Sequence, residues 1–296
     1  MQFSDQLFQY LLTGLTNGAI YALLAVGFVA IYTVTGVINF AQGESAMLGA
    51  LAMVTLHLRM GLPLWLAFLL SVTFAAIVGA LLYLLALRPR RSASPVTLII
   101  ITIGASIAIR GTALLVWGTN SYPLPAFSKV GSINLSGAVI RTQSLWVLGV
   151  TLAAVAGLYF FFRFTLLGKA VRACAVNPLA ASLMGIDKDR ISAVSFALGS
   201  ALGAVAGAVI APITYATYDM GAMLGLKGFV AAILGGLSST PGALAGGFLL
   251  GVLETTGAGL ISSGAKDAIA FAVLMVCLFL RPAGLFAALR TARQGA

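Results

Sequence analysis

Glu44 is the only acidic residue from Gln6 through Ile186, and it stands in the stretch GVINFAQGE, residues 36–44, with Asn39 and Gln42 beside it. A second polar break, SSTPG at 238–242, contains Thr240 and interrupts a run with no charged residue between Lys227 and Glu254. No paired intramembrane carboxylates, Ser/His/Asp group or metal-ligand spacing accompany these residues, so neither hydrolytic nor metal chemistry is expected. The nearest approach to G-x-x-x-x-G-K-[ST] is GKA at 168–170. Arg163 stands there in place of the upstream glycine and Ala170 in place of the hydroxyl residue, so ATP hydrolysis through a P-loop is not expected. The chemistry left to Asn39, Gln42, Glu44, Thr240 and Glu254 is polar contact along a pathway, or a gate on it.

The elements that must position these residues follow from local physics. Gly36 suits the left-handed position that ends a helix. Asn39 can cap the next helix, with Gln42 three residues later in a capping-box-like pattern. Glu44 then falls near the first turn, where negative charge suits the helix dipole. Two readings of this stop and start remain open. One is a plain hairpin just outside the lipid. The other follows from counting back from Arg59: about 20 residues, the length of a span, reach Phe40. Gln42 and Glu44 would then lie at membrane depth, facing protein or a watery cavity, since lipid-facing charge there is costly. The second break has a matching shape. GFVAI begins at Gly27, 12 residues before Asn39, and GFVAAI begins at Gly228, 12 residues before Thr240. Pro241 is a good first helical residue. Paired, interrupted apolar segments point to a transport pathway.

Composition sets the solvent. The 296 residues are 60% hydrophobic and 8% charged, with a mean hydropathy of +1.07, whereas soluble domains carry about 25% charged residues. The apolar runs are long and continuous, so they read as membrane-spanning helices and not as barrel strands. The net charge of +10 sits in a few loops and reads as the positive-inside pattern, so no nucleic acid is expected as a partner. Residues 3–16 read as an interfacial lead-in. Spans are expected near 17–36, 40–58, 64–87, 96–116, 144–162, 191–213 and 268–281. The run between Lys227 and Glu254 either folds back or crosses twice. The total is about eight transmembrane helices, seven to nine, some short or broken. Arg88, Arg90 and Arg91 mark one cytoplasmic loop, residues 163–190 a second, and Arg281, Arg290 and Arg293 a cytoplasmic C-terminus. Residues 118–143 and 214–228 are expected outside. The N-terminus lacks the charged region of a cleaved signal peptide and is read as retained. Residues 1–296 form a single all-α polytopic membrane domain.

Other polar residues have plain readings. Arg110 can snorkel from the outer end of its span, with a pathway role as the alternative, His57 is a structural donor, and Asp219 and Lys227 flank an external mouth as surface charges. Cys174 and Cys277 lie in unlike settings and are not expected to form a disulfide. Gly199, Gly203 and Gly207, Gly242 with Gly246, and Gly247 with Gly251 have the spacing of close helix packing. The loop LLGKAVRACAVNPLAASLMGID, 166–187, is too apolar for a solvated linker, and Asn177-Pro178 splits it into two short helices. Such helices either lie on lipid or dock a partner.

Three segments resemble a known family: NGAIYALLAVGFVAIYTVTGVINFAQGE at 17–44, GKAVRACAVNPLAASLMGID at 168–187 and GLKGFVAAILGGLSSTPGALAGGFLLGVLE at 225–254. They are similar to the LivH-type integral-membrane permeases of branched-chain amino acid ABC importers. The likeness implies the ABC importer permease fold, no enzymatic activity of the chain itself and no cofactor. It implies alternating access in the bacterial inner membrane, driven by two cytoplasmic ABC ATPase subunits. A second permease subunit of LivM type and an extracytoplasmic substrate-binding protein would complete the assembly. It implies that the loop contacts the ATPase through Leu167, Gly168, Lys169, Arg172, Asn177, Pro178, Ala181 and Gly185. Urea, amide or sugar permeases of the same family are the alternative, and a stand-alone secondary transporter is a further one.

Overall fold

A computed structural model of the protein describes residues 3–128, 131–135, 138–281 and 284–285. Eleven α-helices occur among them. Helix α1 (Phe3–Thr35) leads to α2 (Gln42–Val54), which a π turn (Thr55–Arg59) extends. Helix α3 (Leu64–Leu82) continues through a π turn (Tyr83–Leu87) and a 3-10 turn (Arg88–Arg90) to α4 (Pro95–Trp117). A hairpin of β1 (Ser132–Leu135) and β2 (Ala138–Arg141) precedes α5 (Thr142–Phe164), with Ser132 opposite Arg141. Two short helices, α6 (Leu166–Val176) and α7 (Pro178–Leu183), lead into α8 (Lys188–Thr214). Then come α9 (Met220–Gly235), α10 (Thr240–Leu260) and α11 (Lys266–Leu280).

The all-α membrane architecture expected from composition is present. Six described helices are long and apolar enough to cross a membrane: α1, α3 with its extension, α4, α5, α8 and α10. The shorter α2, α9 and α11 pack among them. Three expectations need revision. The lead-in at 3–16 is no separate piece, because α1 runs through it without a break. The hairpin at 132–141 was not foreseen within the expected external loop. Residues 220–228, expected in a loop, already belong to α9, which leaves a much shorter connection after α8. Arg290 and Arg293 lie outside the described residues.

Two ends can be told apart by what meets there. Arg88 and Arg91 both pair with Asp189 at the start of α8, so the two basic loops share one end. At the opposite end, Tyr122 bridges Ala216, and the Arg59 guanidinium reaches the Tyr122 hydroxyl at 3.4 Å. Helices α9 and α10 run antiparallel, since Gly235 packs on Gly242 and Ala231 on Gly246.

Glycine makes the core possible. Every residue of α2 is buried. A Cβ at Gly207 would overlap the Ala46 carbonyl, and one at Gly43 would overlap the Gly221 carbonyl. Gly247 and Gly251 of α10 meet Ala22 and Gly18 of α1 in the same way. These glycine pairs therefore serve packing inside the chain, where close backbone approach holds helices together in lipid. Gly207→Leu is expected to lower stability by about 2 kcal/mol or more, read as a fall in melting temperature of the purified protein; an unchanged melt would refute the close crossing.

Candidate functional site

The basic end carries a compact helical knuckle. Thr165 Oγ1 accepts a hydrogen bond from Gly168 N at 2.9 Å and starts α6. Asn177 Oδ1 accepts from Leu179 N and Ala180 N at 3.1 and 3.0 Å and starts α7. Pro178 takes the first turn, where its missing N–H leaves nothing unpaired. Gly185 ends the pair at φ +82°, a backbone region open mainly to glycine. Asp187 then caps α8 through Asp189 N at 2.9 Å. The caps come from the residue types the sequence supplies at those positions.

The knuckle has an anchored face and a bare one. Val171, Cys174 and Ala181 are buried against Val34 of α1 and Ile191 of α8. Gly168 sits so close to the Phe161 carbonyl that a Cβ would overlap it. Gly168 thus serves as an anchor, while Ala181, though buried, also lines the groove between the two helices. Leu166, Leu179, Leu183 and Met184 are exposed, the last two 81% and 83%. A shallow groove of about 630 Å³ runs between the helices, lined by Lys169, Arg172, Ala173, Val176, Ala180 and Met184. The groove offers apolar walls with two cations at its rim.

The break between α1 and α2 brings Asn39, Gln42 and Glu44 into the protein interior. Asn39, Gln42 and Glu44 are all at most 1% exposed. The expected capping box does not form. Asn39 Oδ1 accepts from Ala41 N at 3.1 Å, and the first residue of α2 has no side-chain cap. Gln42 turns away and donates through Nε2 to the Gly199 carbonyl of α8 at 2.7 Å. Glu44 Oε1 accepts from Ser106 Oγ at 2.9 Å and pairs with Arg110 Nη2 at 3.1 Å. Ser106 lies eleven residues from each end of α4, about 16 Å along the axis. The carboxylate therefore sits at mid-depth of a spanning helix and faces protein, which excludes the plain hairpin. Arg110 does not snorkel outward; it turns to Glu44.

The second break differs in detail. Gly236, at φ +94°, closes α9 as Gly36, at φ +69°, closes α1. Ser239 caps α10, accepting from Gly242 N at 3.2 Å, and Thr240 is the first residue of the helix. Phe28 and Phe229 occupy matching places in GFVAI and GFVAAI, and their rings meet at 5.7 Å. Phe40 joins Phe229 at 5.4 Å, so the two broken segments pack against each other.

Glu254 belongs to another cluster. It is fully buried, and its Oε1 takes Lys227 Nζ at 2.9 Å, the Tyr21 hydroxyl at 3.2 Å and Lys266 Nζ at 3.4 Å. Lys227 also pairs with Asp267 at 2.6 Å. Lys227 is 7% exposed and is not the surface charge expected from sequence. The network ties α1, α9, α10 and α11 together. Sequence reading missed Lys227, Tyr21 and the pair at 266–267 as site residues, and Arg110 as the partner of Glu44. One signal was available: Lys227 and Glu254 lie nearly equidistant from Thr240, as partners across an antiparallel turn must.

His57 Nδ1 lies 2.8 Å from the Leu62 carbonyl and pins its turn, as a structural donor should. Cys174 and Cys277 are free and buried.

Comparison with known proteins identifies the family. The chain is 35% identical over 291 residues to the high-affinity branched-chain amino acid transport system permease protein LivH of Salmonella typhimurium, covering 94% of each chain. It is 36% identical to the corresponding permease protein BraD of Pseudomonas aeruginosa, again over 94% of each. The xylose/arabinose import permease protein XylH of Sulfolobus acidocaldarius is 27% identical over 61% of this chain and 49% of its own. Residues 10–278 match the family described as branched-chain amino acid transport system / permease component. With helices long and apolar enough to span a membrane and this match over most of its length, the chain belongs to that permease family.

Proposed function

We propose that this chain is the membrane-spanning permease subunit of an ATP-driven importer and forms half of a pathway for branched-chain or related aliphatic amino acids. The observation that carries the reading is the knuckle: a rigidly anchored pair of helices with bare leucine and methionine side chains, on a chain with no phosphate-binding loop. Two cytoplasmic ABC ATPases supply the work, each seated on such a groove with Lys169 and Arg172 at its rim. A second permease of LivM type completes the pathway, and an extracytoplasmic binding protein delivers the solute. ATP binding closes the ATPases, the knuckles move with them, and access alternates. Alternation of helix direction supports nine passes, the segments before α2 and α9 completing the passes of those shorter helices and α11 being the third short one. The basic end and C-terminus then face the cytoplasm of a bacterial inner membrane, and the N-terminus faces out. Asn39, Gln42, Glu44, Thr240 and Glu254 belong to the pathway or its gates.

Vesicle uptake tests this. Leucine is expected to accumulate when permeases, ATPases, binding protein and ATP are all present, and to stop when the ATPases are omitted. Uptake by the chain alone would establish a stand-alone transporter. Accumulation of a sugar or urea in place of leucine would establish the alternative substrate class.

A further inference from the structure

Helix α4 has one buried stripe, Leu98, Thr102, Ser106 and Ala113. Its other face is bare: Ile100, Ile103, Ile107 and Leu114 are exposed. Arg110 lies between these faces. Its Nε and Nη2 hold Glu44 Oε1 at 3.3 and 3.1 Å, and Nη2 also reaches Ser106 Oγ at 3.4 Å. No bond to Nη1 occurs among the described residues, and the side chain is 35% exposed. Helical side chains lean toward the N-terminus, which brings the guanidinium back toward Ser106 and mid-depth. Glu44, behind it, has a 2% exposed side chain, and its Oε2 is buried without a partner.

A guanidinium that is one-third exposed at this depth is costly against lipid, and such groups mark solute or ion pathways. Arg110 is also held in place on one side only. Its Nη1 keeps two N–H donors outside these bonds, which can give a charge-assisted hydrogen bond to a carboxylate. Ile103, Ile107 and Leu114 share its face at helical spacing and offer apolar surface to an aliphatic side chain. We propose that Arg110 binds the α-carboxylate of an aliphatic amino acid in transit along the bare face of α4, with Glu44 and Ser106 as positioning residues that aim it. The proposal rests on the functional reading above and adds the group that recognises the substrate. A sugar or urea has no carboxylate to offer such a site.

The test uses the complete importer in vesicles, with radiolabelled leucine and ATP. Arg110→Gln is expected to lower uptake at least about tenfold, the scale of losing a charge-assisted hydrogen bond. Arg110→Lys should retain part of the uptake through its charge. The double variant Glu44→Gln with Arg110→Gln separates binding from mere charge balance. It should stay as impaired as Arg110→Gln; recovery of uptake would show that the arginine only neutralises Glu44 and would overturn the site. Equal leucine uptake by the wild type and Arg110→Gln would overturn it alone. A wild-type importer that carries no aliphatic amino acid would overturn the functional reading and this site together. If Arg110→Gln fails to assemble, Ile107→Cys decides. A water-soluble thiol reagent should modify it in the assembled importer, and leucine-loaded binding protein with ATP should slow the reaction. Absence of modification would place the face in a dry contact and overturn the proposal.

Discussion

Replacing Leu183 and Met184 together with glutamate is expected to abolish ATP-driven uptake while leaving the permease folded. Both side chains are more than four-fifths exposed and lie outside the packed knuckle core, so their loss should not disturb the helices. Each would contribute about 1.5–3 kcal/mol if buried in a partner's groove, and a carboxylate forced into that groove adds a desolvation penalty. The combined effect on ATPase docking is at least about a hundredfold. Co-purification of the ATPase and the rate of substrate-stimulated ATP hydrolysis are the readouts. Undiminished hydrolysis coupled to uptake would remove the knuckle from the mechanism.

Lys227→Met is the second large effect, and it acts on the fold. It would leave Glu254 fully buried, with Tyr21 and the more distant Lys266 as its remaining partners. Breaking a buried pair by removing one partner costs about 3–5 kcal/mol, whereas replacing both with apolar groups is often neutral. The single variant should therefore melt well below the native protein, and the double variant Lys227→Met with Glu254→Met should recover most of the difference. A melt of the single variant equal to the native one would show that the network does not hold α9, α10 and α11 together.

How much of this was legible depends on the physics of each element. Continuous apolar runs bounded by arginine loops placed α3, α4, α5 and α8 to within a few residues, because lipid enforces length and hydrophobicity together. The short helix α2 was harder. It is buried on every side, so its composition shows no amphipathic face, and its polar start resembles a surface hairpin. Gly36 and the break at Asn177-Pro178 were readable because their roles are local: a left-handed stop, and a residue before proline that leaves the α region. Glu44 was recognised as unusual, but its partner was not, since Arg110 is 66 residues away and pairing depends on how α2 leans on α4. Lys227 was misjudged for the same reason. A charge near the end of an apolar run looks superficial until the antiparallel partner helix is laid beside it. The hairpin at 132–141 lies in a polar segment where alternation is too brief to separate strand from loop.

The account depends most on the knuckle facing the compartment where an ATPase can reach it. Leu183→Cys gives a direct test, because the chain's own Cys174 and Cys277 are buried and burial pushes the Cys174 thiol above its ordinary pKa, which slows its reaction. A membrane-impermeant thiol reagent should leave this variant unmodified in intact cells, modify it readily in inside-out vesicles, and modify it slowly once the ATPase is bound. Rapid modification from outside intact cells would put the knuckle on the wrong face of the membrane and contradict the account.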